Sequence, residues 1–419
     1  MKMGGFKAIG WVGLVALASF SWADAGTTGG NVLNIGVGAR AIGMGEAFTA
    51  MSDDVSSLYW NPAGIALLNQ SQASFMYNQS LKDTTYNNAA IATPLENGGI
   101  GASISYLSYG KIDGYDTLGN PTGDVNAYSG VGTLGGAWLG GDWAAGFNLK
   151  GVQGSLADVK ATGIASDLGF TYIVPQEVLG GTMRMAAVYR NLGTGMKYID
   201  QKDPFPAQWR LGVAAVELLN KKLNLAMDYG KEKDIKGAIY GGLEYKPSSF
   251  LVLRTGYAGS HTESDGLRAG LGLKVKDVSF DYAYSNYGDL GMSHRYELTV
   301  RFGAMRPLLT PEERRLYRKA KAAYHDERYG ESVMLFDSLI TMEPQYRPFH
   351  KWTKMAMVKL EEQEHMASGK NNFDYQAKMK TPKQQIDDKA ETNDLENLLN
   401  MSEPSYAQHG QGATPEKKQ

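Results

Sequence analysis

The feature that most constrains the fold is a period-two alternation of apolar and polar residues, repeated along the middle of the chain between short turn sequences. In the segment 295–302 one set of alternate positions is apolar: Tyr296, Leu298, Val300 and Phe302. The intervening positions are charged or polar: Arg295, Glu297, Thr299 and Arg301. The segments 267–275 and 278–285 repeat the pattern. This period belongs to β-strands, because neighbouring side chains of a strand point to opposite faces.

Each of these segments is close to the ~10 residues that a tilted strand needs to cross a bilayer. A charge that faces lipid near the bilayer centre costs roughly 2–4 kcal/mol, so the charged set should line a lumen and the apolar set should face lipid. The predicted lumen-facing charges are Arg268, Lys274, Asp281, Arg295, Glu297 and Arg301. A soluble β-sandwich would show the same alternation with its apolar face in a core. The number of such strands and an apparent export signal favour the membrane.

The spacing of the turns predicts a closed, all-β transmembrane barrel of about 14 antiparallel strands. One set of connections is short, at 97–99, 140–142, 220–222, 246–249 and 276–277. The other set includes long polar stretches at 111–126 and 193–206, and the loops 230–235 and 259–265 belong to it. Short periplasmic turns and longer outer loops are the usual asymmetry. The pattern therefore predicts that both chain ends lie in the periplasm.

The first 25 residues are typical of a secretory signal peptide. Lys2 and Lys7 give a positive start, residues 8–20 are apolar, and 23–25 read Ala-Asp-Ala. The alternative is a membrane anchor, but the apolar run is shorter than the ~20 residues that a spanning helix needs. We therefore expect cleavage near Ala25 and export to the outer membrane of a diderm bacterium.

Composition excludes several kinds of function. The chain contains no cysteine and six histidines, so disulfides and thiolate metal sites are excluded and a His-rich metal cluster is disfavoured. The net charge of -2 argues against a nucleic-acid partner. No nucleophile motif or zinc signature is present, and we find no sequence partner for His294. The sequence thus predicts a protein that is not an enzyme and has no cofactor.

A glycine-rich run precedes the first predicted strand. It reads Gly-Val-Gly-Ala-Arg-Ala-Ile-Gly-Met-Gly from Gly36 to Gly45. The spacing is not that of a dinucleotide-binding loop, and no Lys-Ser or Lys-Thr follows as in a phosphate-binding loop. Asp53 and Asp54 could be considered as metal ligands, but two adjacent carboxylates alone are more typical of a solvated turn or a helix cap.

The run from Gly38 to Gly64 resembles the N-terminal signature of the PorV/PorQ family, which is related to FadL-type outer-membrane barrels and UPF0164-like proteins. A second block agrees, formed by 266–272, 281–284, 288–291 and 294–295. The resemblance covers 26–303, although 285–287 is more polar than the family pattern. It implies that the segment 26–70 folds into the barrel as a plug around Asn61, Pro62 and Ala63. Glycines would allow close packing against the wall, so the full predicted plug motif is Gly43, Gly45, Asn61, Pro62, Ala63 and Gly64.

The last predicted strand also has a pattern that concerns assembly of the barrel. Its alternate apolar residues end on an aromatic, which resembles the signal that the barrel-assembly machinery reads: Tyr296, Leu298, Val300 and Phe302. The alternative interpretation of Phe302 is an aromatic at the membrane interface. Both can hold together.

After the barrel (71–303) the composition changes to helix formers and charge. Thr310 followed by Pro311 is a helix start, and the segment 329–344 resembles half of a tetratricopeptide repeat. A further helix is predicted at 350–364. The sequence therefore predicts a small TPR-like periplasmic extension at 304–366, or a plain amphipathic hairpin on the barrel rim. The polar segment 367–419 is predicted to be disordered.

Three functions remain open. The PorV/PorQ resemblance implies a part in protein secretion, as in type IX cargo acceptance, with secreted cargo or secretion subunits as partners beside outer-membrane lipid. The alternative is a FadL-like transporter of hydrophobic small molecules, which the charged lumen positions disfavour because apolar ligands prefer apolar pockets. The third is a structural barrel that docks periplasmic proteins.

Overall fold

The computed structural model describes residues 28–79, 84–157, 159–200, 202–233, 236–259, 266–288, 291–306, 309–344 and 346–367. The predicted signal peptide (1–25) and the predicted tail beyond 367 lie outside these residues. None of the helices in the described part of the chain is long and apolar enough to cross a bilayer.

Within the described residues, fourteen antiparallel strands close into a barrel, as the sequence predicts. The ring follows chain order, and its first strand (Ser71–Gln79) closes it by pairing with its last (Met292–Phe302), from Ser71 opposite Phe302 to Gln79 opposite His294. The barrel strands are β1 (Ser71–Gln79), β2 (Thr85–Leu95), β3 (Gly98–Ser108), β6 (Ala127–Leu139), β7 (Trp143–Leu156), β8 (Val159–Val178), β9 (Gly181–Gly193), β12 (Gln208–Glu217), β13 (Leu223–Glu232), β14 (Ala238–Tyr245), β15 (Leu251–Ala258), β16 (Leu267–Val275), β17 (Val278–Asn286) and β18 (Met292–Phe302).

The two rims of the barrel differ. One carries short connections, such as the two-residue turn between β16 and β17 and the helical turn α3 (Leu218–Lys221) between β12 and β13. We call it the turn end. The other, the loop end, carries two small hairpins, β4 (Ile112–Tyr115) with β5 (Pro121–Val125) and β10 (Met196–Lys197) with β11 (Lys202–Asp203). The long loops expected at 111–126 and 193–206 thus have regular structure.

The alternation divides side chains between the inside and the outside of the barrel. On β16 the odd positions Leu267, Leu271 and Leu273 are exposed, whereas Arg268 is buried. The outward apolar residues recur on strands all around the ring, for example Ile104, Leu134, Leu168, Met227 and Leu298. A closed barrel pairs the backbone groups of all its strands with one another, and its apolar outer face is suited to contact with hydrocarbon. This is a transmembrane barrel of the outer-membrane type.

The segment 28–70 runs through the lumen as a plug. It contains 3-10 helices at Asn31–Asn34 and Pro62–Leu67, and short α-helices α1 (Ala39–Gly43) and α2 (Ser57–Trp60). The side chain of Asn34 contacts Glu232 and Gln208, which lie at the loop end of their strands. The plug then descends to the turn end, where β1 begins. The described chain therefore enters the barrel at the loop end, although we expected both ends at one side.

Three helices follow the barrel at its turn end: α4 (Pro311–His325), α5 (Tyr329–Met342) and α6 (Arg347–Ala367). Thr310 caps α4 through reciprocal hydrogen bonds with Glu313, as its Thr-Pro start predicts. Arg314 Nε donates to Asp142 Oδ1 at 3.0 Å, and Arg318 pairs with the same carboxylate. These contacts hold the helices against the turn between β6 and β7.

Candidate functional site: the plug and the two walls of the lumen

An ion cluster joins the plug to one wall of the barrel. The guanidinium of Arg40, on α1, lies 2.8 Å from Glu244 on β14, 2.6 Å from Asp53 and 2.9 Å from Asp54. Arg184, on β9, pairs with the second oxygen of Asp53 at 3.0 Å. The two aspartates that the sequence suggested as a solvated turn or helix cap are thus partners of arginines whose side chains are 17% and 11% exposed. Asp54 also accepts the backbone N–H of Ser56.

The cluster continues along the wall. Arg254, on β15, bridges Glu244 at 2.7 Å and Asp281 of β17 at 2.5 Å. Glu244 is 1% exposed and Arg254 is 8% exposed. Removing one member of such a buried network leaves an uncompensated charge, which is strongly destabilising. The network therefore fixes where the plug sits.

Electrostatics inside the cluster favour the charged forms. Burial alone would raise the pKa of Asp53, but Arg40 and Arg184 outweigh it and hold the pKa below its usual value. Burial opposes the charge of Arg40 as well, yet Glu244, Asp53 and Asp54 hold its pKa well above the usual value. These groups remain ionised at neutral pH, so the pairing of opposite charges persists.

Carboxylates of the wall also receive backbone N–H groups of the plug. Asp228 Oδ2 accepts from Phe48 at 3.0 Å and Thr49 at 2.9 Å. Glu297 Oε2 accepts from Ala39, the first residue of α1, at 2.8 Å. A carboxylate at a helix N-terminus satisfies donors that have no partner within the helix. The plug is therefore bound through its backbone as well as its side chains.

Glycines let the plug approach this wall closely. Gly45 has φ +63°, and a Cβ there would lie 2.3 Å from the backbone nitrogen of Tyr257. A Cβ on Gly43 would lie 3.0 Å from the Cα of Gly270. Only glycine on both sides permits such contact. This gives a geometric role to the glycines of the predicted plug motif.

The Asn-Pro-Ala-Gly part of the motif lies nearer the turn end. The Asn61 side chain donates to Thr49 O at 2.9 Å and to Thr171 Oγ1 of β8 at 3.0 Å. It also accepts from the N–H of Ala63 at 3.1 Å, and Pro62 occupies the first position of the 3-10 helix. A Cβ on Gly64 would meet Ser52 O at 2.4 Å. These residues bend the plug and fasten its two halves together.

The predicted lumen-facing charges lie at different depths. Arg268, Asp281, Arg295 and Glu297 are buried inside the barrel. Lys274 is exposed near the turn end, and Arg301 is partly exposed there. The predicted assembly-signal residues Tyr296, Leu298, Val300 and Phe302 lie on the outer face of β18. His294 accompanies them and contacts the hydroxyl of Tyr282 at 2.9 Å.

The opposite wall of the lumen is apolar only at its loop end, because deeper positions of the same strands carry Asn88, Ser105, Thr133 and Lys150. Side chains of β2, β3, β6 and β7 pack against Val32, Leu33 and Val37 of the plug. We call their wall residues the apolar wall: Tyr86, Leu107, Val131 and Val152. Between plug and wall a space of about 20 Å³ remains, enough for one water. Few directional contacts bind this part of the plug to its wall.

The hairpin β10–β11 covers the apolar wall from the loop end. Met196 and Phe205 join the same apolar cluster, and the N–H of Gly29 donates to Pro204 O at 2.9 Å. The hairpin and the start of the plug therefore form one unit, which we call the lid. Sequence analysis missed it because its contacts join distant parts of the chain.

A lone positive charge within an apolar run could have indicated the ion cluster. Arg40 stands in such a run, and Lys150 occupies an inward position of β7. Lys150 pairs with Asp167 of β8 at 2.7 Å, where the pairing between β8 and β9 shifts register.

Among the described residues, no group of acidic or histidine side chains could hold a metal ion. The arrangement is one of anchoring and packing.

Comparison with known proteins found one family model and several solved structures that resemble the chain. The sequence model of an uncharacterised protein family (UPF0164) matches residues 17–169. No curated protein matches the chain in sequence. The toluene transporter TbuX of Ralstonia pickettii is similar in structure at 16% identity and a TM-score of 0.48, over 64% of this chain and 99% of that one.

Two further solved structures are more distant. A FadL homologue of Pseudomonas aeruginosa has 12% identity and a TM-score of 0.39, over 62% of this chain and 97% of that one. CdiB from Acinetobacter baumannii has 10% identity and a TM-score of 0.32, over 56% and 60% of the two chains. At these values the function has to be argued from this chain's own residues.

Proposed function

We propose that the protein is a plugged conduit through which hydrophobic small molecules cross the outer membrane, with the lid as its gate. The observation that carries this proposal is the division of the lumen into two walls. The ion cluster anchors α1 to one wall, whereas the apolar wall meets the plug through side chains such as Val32 and Val37. The turn end faces the periplasm in this proposal.

The two walls separate anchoring from passage. Apolar contacts are non-directional, so a hydrophobic solute can replace the plug's side chains against the apolar wall at little net change in free energy. The ionic contacts of Arg40 cannot be replaced in this way. Displacement of the lid would open an apolar strip while the rest of the plug stays bound.

This division answers the objection raised by the charged lumen positions. Asp281, Arg254 and Glu244 lie in the ion cluster and are neutralised by one another and by the plug. An apolar solute at the apolar wall would not have to desolvate them, and the charge of Lys150, deeper on β7, is paired with Asp167. Apolar-lined pockets with few polar groups are the usual sites for such molecules.

A reversible crosslink tests the gate. A Cβ on Gly29 would lie 2.9 Å from Cβ of Asp203, which is about 1 Å shorter than in a typical disulfide. The chain has no cysteine of its own, so Gly29→Cys with Asp203→Cys forms a single defined bridge. The assay is entry of the uncharged fluorescent probe N-phenylnaphthylamine into cells of a diderm host whose outer membrane excludes it.

We expect the oxidised double variant to admit the probe at the rate of cells without the protein, and the reduced protein to restore wild-type entry. Each single cysteine variant is the matched control and should be insensitive to oxidant. Equal entry in the oxidised and reduced states would contradict the lid as gate. Entry that never exceeds that of cells without the protein would contradict the conduit.

A second candidate function is docking of a protein partner, as in the secretion role that the PorV/PorQ resemblance implies. The observation that favours it is a set of exposed methionines on α5 and α6: Met334, Met342, Met355, Met357 and Met366. Flexible methionine side chains are typical of protein-binding surfaces. Purification from native membranes should then recover secretion subunits or cargo with the wild type and not with Met334→Lys/Met357→Lys.

A further inference from the structure

A chamber of about 300 Å³ lies between the turn end of the barrel and the C-terminal helices. Its roof is the last turn of the plug at Leu67 and the inward side chain of Ile173. Its floor is formed by Leu309, Tyr317 and Tyr346 of the extension. A volume near 300 Å³ is the lower end of the range for small-molecule pockets. The chamber therefore combines apolar surfaces with enough room for a ligand.

Positively and negatively charged side chains lie at different depths in the chamber. The guanidinium groups of Arg184 and Arg314 belong to side chains that are 11% and 12% exposed. The carboxylates that line it, Glu96, Glu177 and Glu217, are on exposed residues. Solvent screens charges at the mouth more than charges inside. Asp53 is already paired with Arg184, and Asp142 with Arg314, so the interior of the chamber offers unused N–H donors rather than an excess of positive charge.

These largely buried guanidinium groups are incompletely satisfied. Within the described residues, Arg314 Nη2 and Arg184 Nε have no hydrogen-bond partner. Arg306 donates to four backbone carbonyls, including Ala66 O and Leu68 O, but forms no ion pair in the described part of the chain. Burial, reinforced by the like charge of Arg184, lowers the pKa of Arg314 below its usual value. An anion between these groups would supply the missing acceptors.

From this geometry we infer that the chamber binds a small amphipathic carboxylate, with the carboxylate between Arg184 and Arg314 and the apolar body against Leu67, Ile173 and Tyr317. Guanidinium groups match a carboxylate in shape and hold it by charge-assisted hydrogen bonds. The apolar surfaces select a ligand with a hydrocarbon body over a bare anion. This site goes beyond the proposed conduit, because it forms in the plugged protein and needs no gate to open.

Calorimetric titration of the full chain in lipid nanodiscs tests the inference, with 4-phenylbutyrate as the probe. We expect saturable binding of 4-phenylbutyrate, and binding at least tenfold weaker for the uncharged 4-phenylbutanol and for inorganic phosphate. Arg184→Gln and Arg314→Gln should each weaken binding at least tenfold. Arg315→Gln is the matched control, because Arg315 is exposed on the same helix and does not line the chamber.

Two arginine variants are used because a single one could act by detaching the C-terminal helices from the barrel. Arg314 contacts Asp142 and helps to hold the helices, whereas Arg184 lies on the barrel, pairs with Asp53 of the plug and leaves the Asp142 contact intact. Weaker binding in both variants supports a site between them. Equal binding of the acid and the alcohol, binding of phosphate as tight as that of phenylbutyrate, wild-type affinity in either arginine variant, or no binding at all would overturn the inference.

Discussion

Arg40 of the plug and Glu244 of β14 form a two-point ion pair, in which Nε lies 2.8 Å from Oε2 and Nη2 lies 3.1 Å from Oε1. They are 204 positions apart in the chain. The pair ties the N-terminal segment to a strand that is made much later, so this contact can form only after β14 has been synthesised. Because Glu244 also binds Arg254, the same carboxylate joins plug and wall.

Glu244→Gln should loosen the plug. The change removes the charge that Arg40 and Arg254 share and leaves two buried guanidinium groups undercompensated, which costs about 3–5 kcal/mol. Urea unfolding in detergent, followed by the heat-modifiable mobility of the barrel on gels, would measure it. Asp124→Asn is the matched control, because its pair with Lys111 is half-exposed on a loop hairpin and is worth about 0–1 kcal/mol. Equal losses in the two variants would argue against the anchoring role.

Gly45→Ala should prevent the plug from seating. The backbone there is left-handed at φ +63°, and the added Cβ would meet Tyr257 N at 2.3 Å. A left-handed conformation costs about 1–2 kcal/mol for an L-residue, and overpacking adds about 1–3 kcal/mol. We expect larger and more frequent conductance steps in planar bilayers than for the wild type. Gly241→Ala, where a Cβ meets nothing within 4 Å, should conduct as the wild type does.

The strands could be predicted from the sequence because their signal is local. Alternation in 267–275 and 278–285 depends on neighbours two positions away, and the observed β16 and β17 follow those limits closely. The predicted limits of the turns were less accurate. Gly98 was expected in a turn, but it begins β3 because it already pairs with Leu95. The inward and outward faces of each strand could be predicted because a charge that faces lipid is costly.

The partners inside the lumen could not be predicted in the same way. Arg40 could be expected to need a counter-charge, but nothing local distinguishes Glu244 from the other inward carboxylates. The path of the plug, which enters at the loop end by Asn34, depends on packing against strands far along the chain. The period-two pattern and the composition predict the strands of the barrel. The contacts of the plug inside it depend instead on residues that are far apart in the chain.

Acid should weaken the seating of the plug through Asp53. Its pKa is lower in the folded protein than the usual ~3.9, so its contribution to stability is complete above pH ~4 and is lost as the pH falls through the folded value. Protease sensitivity of the plug, measured as the pH is lowered, should rise below about pH 4. Asp53→Asn lacks this component and should show a smaller change over that range. A wild-type profile that matches the variant would count against the sign of this linkage.

The outer face of β16 offers the most direct test of the membrane assignment. Leu271 lies near the middle of the strand and points outward, so Leu271→Arg places a charge in hydrocarbon at a cost of roughly 2–4 kcal/mol. Val275 ends the same strand on the same face, at 68% exposure, and Val275→Arg should cost only ~0–1 kcal/mol near the interface. Unfolding of both variants in lipid vesicles would measure the difference. A protein that tolerates arginine equally at the two positions would not have its outer face in a bilayer, and the wall would instead be covered by protein.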